Sequence, residues 1–286
     1  MKIHLSHLAL LVSLLFASIA IADDKDKKEE KKKPEPPVIM VSYPLAMSPG
    51  QKTHMMLRGL RLNTVSNIWL VDGEKRTELK VKLKADSKPP DKYDAKVAGD
   101  TKADIDIELP AETSPGAVKL IAENEGGQSQ AYELQVIAKD QLIAEKGPND
   151  SFKNAQPIAQ NQTILGGITG NNQVDVFSYA GRAGEKVTID VLASRLGSAL
   201  DPCITLFDPN RNIITMADDN KGAPASGGKL SGDKLSGDKL SRDKTSRDCT
   251  LTLTLPLEGT YLIVLQDALD RGDQAHSYLL RVMEAK

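Results

Sequence analysis

The side chains that most often act as bases, soft metal ligands or thiol nucleophiles are scarce in this chain: 286 residues hold four His and two Cys. Two of the His stand among the first ten residues. That leaves His54 in Lys52-Thr53-His54-Met55 and His276 in Asp273-Gln274-Ala275-His276-Ser277. A Ser-His-Asp centre needs a base held by a third group and a nucleophile presented on a strained turn. His54 opens an apolar run and His276 falls in a polar hairpin, so neither sits in such a signature. No His-Glu-x-x-His helix and no Gly-x-Ser-x-Gly elbow appears. Two carboxylates could hydrolyse a glycoside, but acids are spread along many polar strand faces and no pair stands apart. Asp218-Asp219-Asn220 gathers acids at the end of an apolar run, where turn chemistry accounts for them. The expectation is a chain without a catalytic site.

Cys203 and Cys249 suit a disulfide if the compartment is oxidising, and the even count agrees. Such a bridge would close the whole intervening loop and contribute roughly 2–4 kcal/mol if unstrained. Strand parity opposes it: Cys249 shares the face of Leu251 and Leu253, whereas Cys203 is out of phase with Ile204 and Leu206. The bridge and two separate thiols both stay open at this point.

The compartment follows from the first segment. Lys2, an apolar run Leu8–Ile21 and the small residues Ala20-Ile21-Ala22 read as a secretory signal peptide over residues 1–22. The run falls short of the roughly 20 residues that span a bilayer, and no later stretch is apolar enough, so no transmembrane anchor is expected in the mature chain. The expected location is secreted or periplasmic. Residues 23–37 (DDKDKKEEKKKPEPP) carry six Lys against three Asp and three Glu, a neutral polyampholyte that buries nothing apolar and reads as a disordered charged linker. The formal net charge of −2 excludes the basic surface that a nucleic-acid partner would require.

From Val38 onward the pattern has a period of two. Val38–Ser42, Met55–Leu57, Ile68–Val71, the alternations Leu79/Val81/Leu83 and Ile105/Ile107/Leu109, Val118–Ala122 and Leu134–Ile137 make about seven strands. Turn residues separate them, as at Ser48-Pro49-Gly50, Asp72-Gly73 and Ser114-Pro115-Gly116. This number of strands in residues 38–138 fits a small immunoglobulin-like β-sandwich. Pro44, Ser48-Pro49-Gly50, Leu57-Arg58-Gly59-Leu60, Pro115-Gly116 and Glu125-Gly126-Gly127-Gln128-Ser129 resemble the IPT/TIG family, whose members serve as spacers and interaction modules.

Residues 139–146 read as a linker, and a second series follows. Ile164–Ile168, Val174–Tyr179, Val187–Val191, Ile204–Phe207, Ile213–Met216, Leu251–Leu255, Tyr261–Leu265 and Tyr278–Val282 make eight strands, which suggests a jelly-roll-like sandwich over residues 147–286. The fold class expected for the chain is therefore all-β, with two β-sandwich domains. Gly147-Pro148-Asn149-Asp150-Ser151, Gly166-Gly167-Ile168, Val174-Asp175-Val176-Phe177, Leu200-Asp201-Pro202 with Leu206-Phe207-Asp208, Ala217-Asp218-Asp219-Asn220 and Gly259-Thr260-Tyr261 run in order. From residue 145 onward they resemble the bacterial pre-peptidase C-terminal domain, a secreted β-sandwich found beside extracellular proteases and collagenases.

That resemblance implies a calcium site in some members. Glu145, Asn149, Asp150 and Asp175 occupy the matching places, while Gly147 and Gln173 stand where further acids are often found. Calcium takes six to eight oxygens, so calcium is the only cofactor in question and the alternative is none. Residues 229–248 hold a tandem pentapeptide repeat (KLSGD, KLSGD, KLSRD, KTSRD), which matches no regular element and reads as a disordered loop over residues 221–248. Aromatic residues make up 4% of the chain, and Tyr261 and Tyr278 fall in core patterns rather than on an exposed sugar platform. The expected role is a non-catalytic binding or presentation protein of the envelope or extracellular space, its partner an extracellular protein or a polysaccharide. The competing expectation is a structural or partner module for a separately encoded secreted protease or envelope complex.

Overall fold

A computed structural model describes residues 33–79, 84–86, 99–219 and 247–285. The signal segment, all but the last few residues of the charged linker, Val81, Leu83, Asn220 and nearly all of the repeat lie outside the described residues. Residues Pro34–Lys286 form one compact unit. Among the described residues its regular elements are strands, apart from single 3-10 turns at Leu62–Thr64 and Ser194–Leu196.

The first sandwich is built from β1 (Val38–Tyr43), β2 (Ala46–Met47), β3 (Lys52–Leu60), β4 (Asn67–Asp72), β5 (Lys75–Leu79), β6 (Lys84–Asp86), β7 (Thr101–Glu108), β8 (Gly116–Asn124), β9 (Gly127–Gln128) and β10 (Tyr132–Val136). One sheet runs β1-β3-β7-β6. The other runs β2-β10-β8-β4-β5, with β9 beside β8. Alternation does what a half-buried sheet requires. Met55, Leu57, Ile105 and Ile107 from one sheet meet Ile68, Leu70, Val118, Leu120 and Leu134 from the other in a single core. The polar partners between them face out. In the run expected from Leu79 to Leu83, β5 ends at Leu79 and β6 begins at Lys84.

The second sandwich comprises β11 (Leu142–Ala144), β12 (Gln156–Pro157), β13 (Thr163–Gly167), β14 (Val174–Gly181), β15 (Lys186–Leu192), β16 (Pro202–Phe207), β17 (Ile213–Ala217), β18 (Cys249–Thr254), β19 (Gly259–Asp267) and β20 (Ser277–Glu284). Its sheets run β11-β13-β20-β15-β18 and β12-β14-β19-β16-β17. Val187, Ile189 and Val191 point inward together, and Phe177, Tyr261 and Tyr278 fill the middle. Tyr261 and Tyr278 are fully buried, as their strand positions required. The stretch expected as a linker instead contributes a strand: β11 pairs in parallel with β13, Leu142 opposite Thr163. Three residues carry too little periodicity to be read as a strand, and the neighbour that makes them one is distant in sequence.

The end of the repeat also differs from expectation. Arg247 and Asp248 are described, and Asp248 is fully buried. Its Oδ1 accepts the backbone N–H groups of Ala193 (3.0 Å) and Ser194 (2.6 Å), and its Oδ2 takes Nε of Arg195. A carboxylate that caps a 3-10 turn in this way satisfies donors that would otherwise be buried and unpaired.

The turn so held forms the junction between the sandwiches. Val41, Leu45 and Ala46 pack against Leu192, Leu196 and Leu279. Tyr132 Oη donates to the carbonyl of Leu196 at 3.0 Å and accepts the N–H of Ser42 at 3.0 Å. Tyr43 Oη reaches the carbonyl of Ala275 at 3.3 Å. Gly197, at φ +89°, lies so close to β1 that a Cβ there would come within 2.1 Å of the Met40 carbonyl oxygen. Replacing Tyr132 with Phe strands buried partners on both sides, which costs about 1–3 kcal/mol. Chemical denaturation of Tyr132→Phe should give one transition, shifted to lower denaturant. Two separated transitions in the unaltered chain would show that the junction does not couple the sandwiches.

Candidate functional site

Of the four positions matched to a cation site, the fold brings two together. Glu145 follows β11, and its Oε2 accepts the N–H of Gly167 at 2.8 Å. Asp175 points inward from β14 and is fully buried. Its Oδ2 accepts Tyr278 Oη at 2.7 Å, and its Oδ1 accepts Nε2 of Gln173 at 2.9 Å. Asn149 is buried beside β14, where its backbone carbonyl accepts the N–H of Val176 at 2.6 Å, while Nδ2 has no hydrogen-bond partner. Asp150 is exposed.

This donor set does not fit calcium. Both oxygens of Asp175 and one of Glu145 already accept hydrogen bonds from the protein. Gln173 presents an N–H to Asp175, where a cation would call for another oxygen. The geometry suits a proton instead. Burial, and the Glu145 carboxylate beside it, push the Asp175 carboxyl up to about 7. Burial, with Asp175 and Glu145 next in effect, also pushes the Tyr278 phenol up, so it stays a donor. Gly166 makes the approach feasible, since a Cβ there would lie 2.5 Å from both Glu145 Oε2 and Tyr278 Oη. Sequence reasoning assigned Tyr278 to the core and gave Gly166 no role. A Gly within a strand pattern signals a close approach, and that was the available hint.

The remaining candidates lie apart. Asp201, Asp218 and Asp219 place carboxylate oxygens within 4.8 Å of one another, and Arg247 Nη1 offsets Asp201 at 3.5 Å. Burial is the main cause that raises the Asp201 carboxyl. His54 is exposed on β3 and sits 3.1 Å from Asp106 across the strand pair. His276, expected in a polar hairpin, is almost completely buried, with Nδ1 held by Asp273 at 2.8 Å. A base sealed from solvent cannot reach an external substrate.

Cys203 and Cys249 are both free thiols in the structure, the second of the two readings left open by the sequence. Cys249 lies on the inner face of β18, whereas Cys203 alternates with inward Pro202 and Ile204 on β16. Burial first, and nearby acids next, raise the Cys203 thiol; burial and then Cys203 raise that of Cys249.

One open groove of about 1290 Å³ lies along β12 and β14. Lys146, Gln160, Gln162, Arg182, Lys186 and Glu284 lie along it, and its lining contains neither His nor Cys. Tyr179 Oη donates to Glu185 Oε1, and Glu185 Oε2 accepts the N–H of Arg182 at 2.9 Å. Both oxygens of that carboxylate are therefore occupied. Burial and Glu185 raise the Tyr179 phenol.

No protein-family model matches the chain. It is 27% identical over 144 residues to a probable subtilase-type serine protease of Deinococcus radiodurans, covering 46% of this chain and 16% of that protein. It is 31% identical over 75 residues to the collagenase ColQ1 of Bacillus cereus, covering 26% of this chain and 8% of that one. Among solved structures it is similar to the pre-peptidase C-terminal domain of a Bacillus anthracis collagenase. That match has 15% identity and a TM-score of 0.30, over 48% of this chain and 99% of the domain. The chain thus spans less than a fifth of the length of these curated relatives. No helix of the described residues is long and apolar enough to cross a membrane.

The Glu145–Asp175 pair sets a sign for pH. Asp175 holds its proton more tightly folded than unfolded, where its carboxyl returns to 3.8. Stability from this group is therefore fully present below about pH 4 and is lost as pH rises through about 7. Asp175→Asn should flatten the fall in Tm between about pH 5 and pH 8 and leave the variant the more stable of the two at the upper end. An unchanged pH profile would contradict the shared proton. Thiol labelling gives a second check. Cys203 should react in the native chain well before Cys249, and both should react in denaturant; finding no thiol in denaturant would restore the bridge.

Proposed function

We propose that this chain is a secreted, non-catalytic binding and presentation protein. On this reading a pre-peptidase C-terminal-like sandwich is preceded by an IPT/TIG-like one, with domains at residues 38–138 and 147–286. Residues 1–22 direct export, and the charged segment 23–37 is a tether. The observation that carries the reading is the groove along β12 and β14: it is open, its lining mixes apolar side chains with Lys146, Gln160, Arg182 and Lys186, and it holds no histidine or thiol. The sequence similarity to parts of a serine protease and a collagenase supports a place beside extracellular proteolysis. The segment matched is a small fraction of either enzyme, so the reading takes the accompanying module and leaves the catalysis to another chain.

The ligand class is an extended polymer, an extracellular protein or a polysaccharide. Lys146, Arg182 and Lys186 along one groove favour acidic or carbonyl-rich chains. The purified chain should co-sediment with insoluble preparations of one class, gelatin and collagen on one side or cell-wall polysaccharides on the other. Arg182→Glu combined with Lys186→Glu should abolish that co-sedimentation while Tm stays within about 2 °C, since exposed substitutions alter stability by about 0.5 kcal/mol or less. Failure to bind either class would overturn the groove and leave a purely structural module.

A further inference from the structure

The backbone that borders the groove along β12 and β14 already has partners. β13 holds one side of β11. Along the other side Gln156 turns its side-chain amide: Nε2 donates to the Ala144 carbonyl at 3.1 Å, and Oε1 accepts the Lys146 N–H at 2.7 Å. The amide thus takes the place that the backbone of an added strand would need. β12 is only two residues long, and its Pro157 has no N–H to offer. Just beyond it the N–H of Ile158 goes to the Ser178 carbonyl and that of Ala159 to Gln162 Oε1, both at 3.0 Å. In the turn after β14, Glu185 Oε2 takes the Arg182 N–H and the Leu255 carbonyl takes that of Gly184. An extended peptide binds a sheet margin by joining it as a strand, its own N–H and C=O groups finding backbone partners. Here it meets no ladder to join, and each peptide group buried without a partner costs about 1–3 kcal/mol.

What the groove offers is side chains. Lys146, Arg182 and Lys186 are exposed along it and make no ion pair among the described residues. Two carboxylates line it. Glu185 has both oxygens occupied, by Tyr179 Oη and the Arg182 N–H, which leaves Glu284 as the one available anion of the lining. Pro157, Ala159, Ala180 and Ala183 add small apolar ground. The ligand that matches is rich in acceptors, negatively charged along its length and able to lay an apolar face on small side chains.

We propose that the groove takes an acidic polysaccharide, a chain of sugar rings bearing carboxylate or sulfate groups, in preference to an extended protein segment. The assignment rests on the groove being the polymer site proposed above, and it names which polymer. Arg182 has the planar fork that fits a carboxylate or sulfate with two hydrogen bonds, while Lys146 and Lys186 act as point charges on neighbouring units. Sugar hydroxyls both donate and accept, so they need no ladder of fixed backbone groups, and the C–H faces of the rings pack on the alanines and Pro157. Each exposed ion pair contributes only about 0.2–1 kcal/mol, and a repeating anion engages all three cations at once.

Calorimetric titration of the purified chain with polygalacturonate, dextran sulfate, neutral dextran, poly-glutamate and gelatin tests this. Affinity for an acidic polysaccharide should exceed that for dextran by about tenfold or more. It should fall as NaCl rises from about 50 mM to about 300 mM. Lys146→Gln, Arg182→Gln and Lys186→Gln should each weaken it about two- to fivefold, and Glu284→Gln should strengthen it, with melting curves unchanged. The tighter of the carboxylated and sulfated chains identifies the acid group. Poly-glutamate bound as tightly as the acidic polysaccharides overturns the proposal, because charge alone would then be read. So does acidic-chain binding that the three cation variants leave unchanged. Binding to gelatin or dextran with no preference for the acidic chains overturns it too, but leaves the groove a polymer site; binding to none of these polymers overturns that reading as well.

Discussion

The buried Tyr132 hydroxyl joins the two sandwiches at the centre of an apolar junction. Tyr132, on the first sandwich, donates to the Leu196 carbonyl of the second and accepts from Ser42 of its own. The contact exists only because the Leu196 turn is held in place, and that turn is held from its other side by Asp248. The buried carboxylate binds the N–H groups of residues 193 and 194 and the side chain of Arg195. Arg195 in turn lies 3.6 Å from Asp190, which also accepts Thr250 Oγ1 at 2.7 Å and pairs with Arg281. A buried charge is tolerable only where its partners surround it, so this network and the turn it supports stand or fall together. Gly197 then allows β1 to close against the turn with no Cβ in the way.

The interior of the second sandwich resolves a similar problem by different means. Two carboxylates brought near one another must share a cation or a proton. Here Gln173 and Tyr278 each donate to Asp175, which favours its charged form and partly opposes burial. Burial and Glu145 outweigh them, and the balance leaves a carboxyl that titrates near neutrality. Gln173 matters most to that outcome, because the N–H it turns toward Asp175 Oδ1 would repel a metal ion that an oxygen would attract.

Alternation made the sandwiches legible. Every apolar run of the second series became a strand, and Val187, Ile189 and Val191 became core for the reason their spacing implied. The short parallel strands β11 and β12 were not legible, because two or three residues have no period and their partners lie ten or more residues away. Asp248 looked like the last letter of a polar repeat. Its role depends on a turn more than fifty positions earlier, and no local pattern carries that information. His276 was misplaced for the same reason: its hairpin is polar in sequence, yet the neighbouring strands enclose it. Around Glu145 and Asp175 the residue types were visible, but the direction of each hydrogen bond was not.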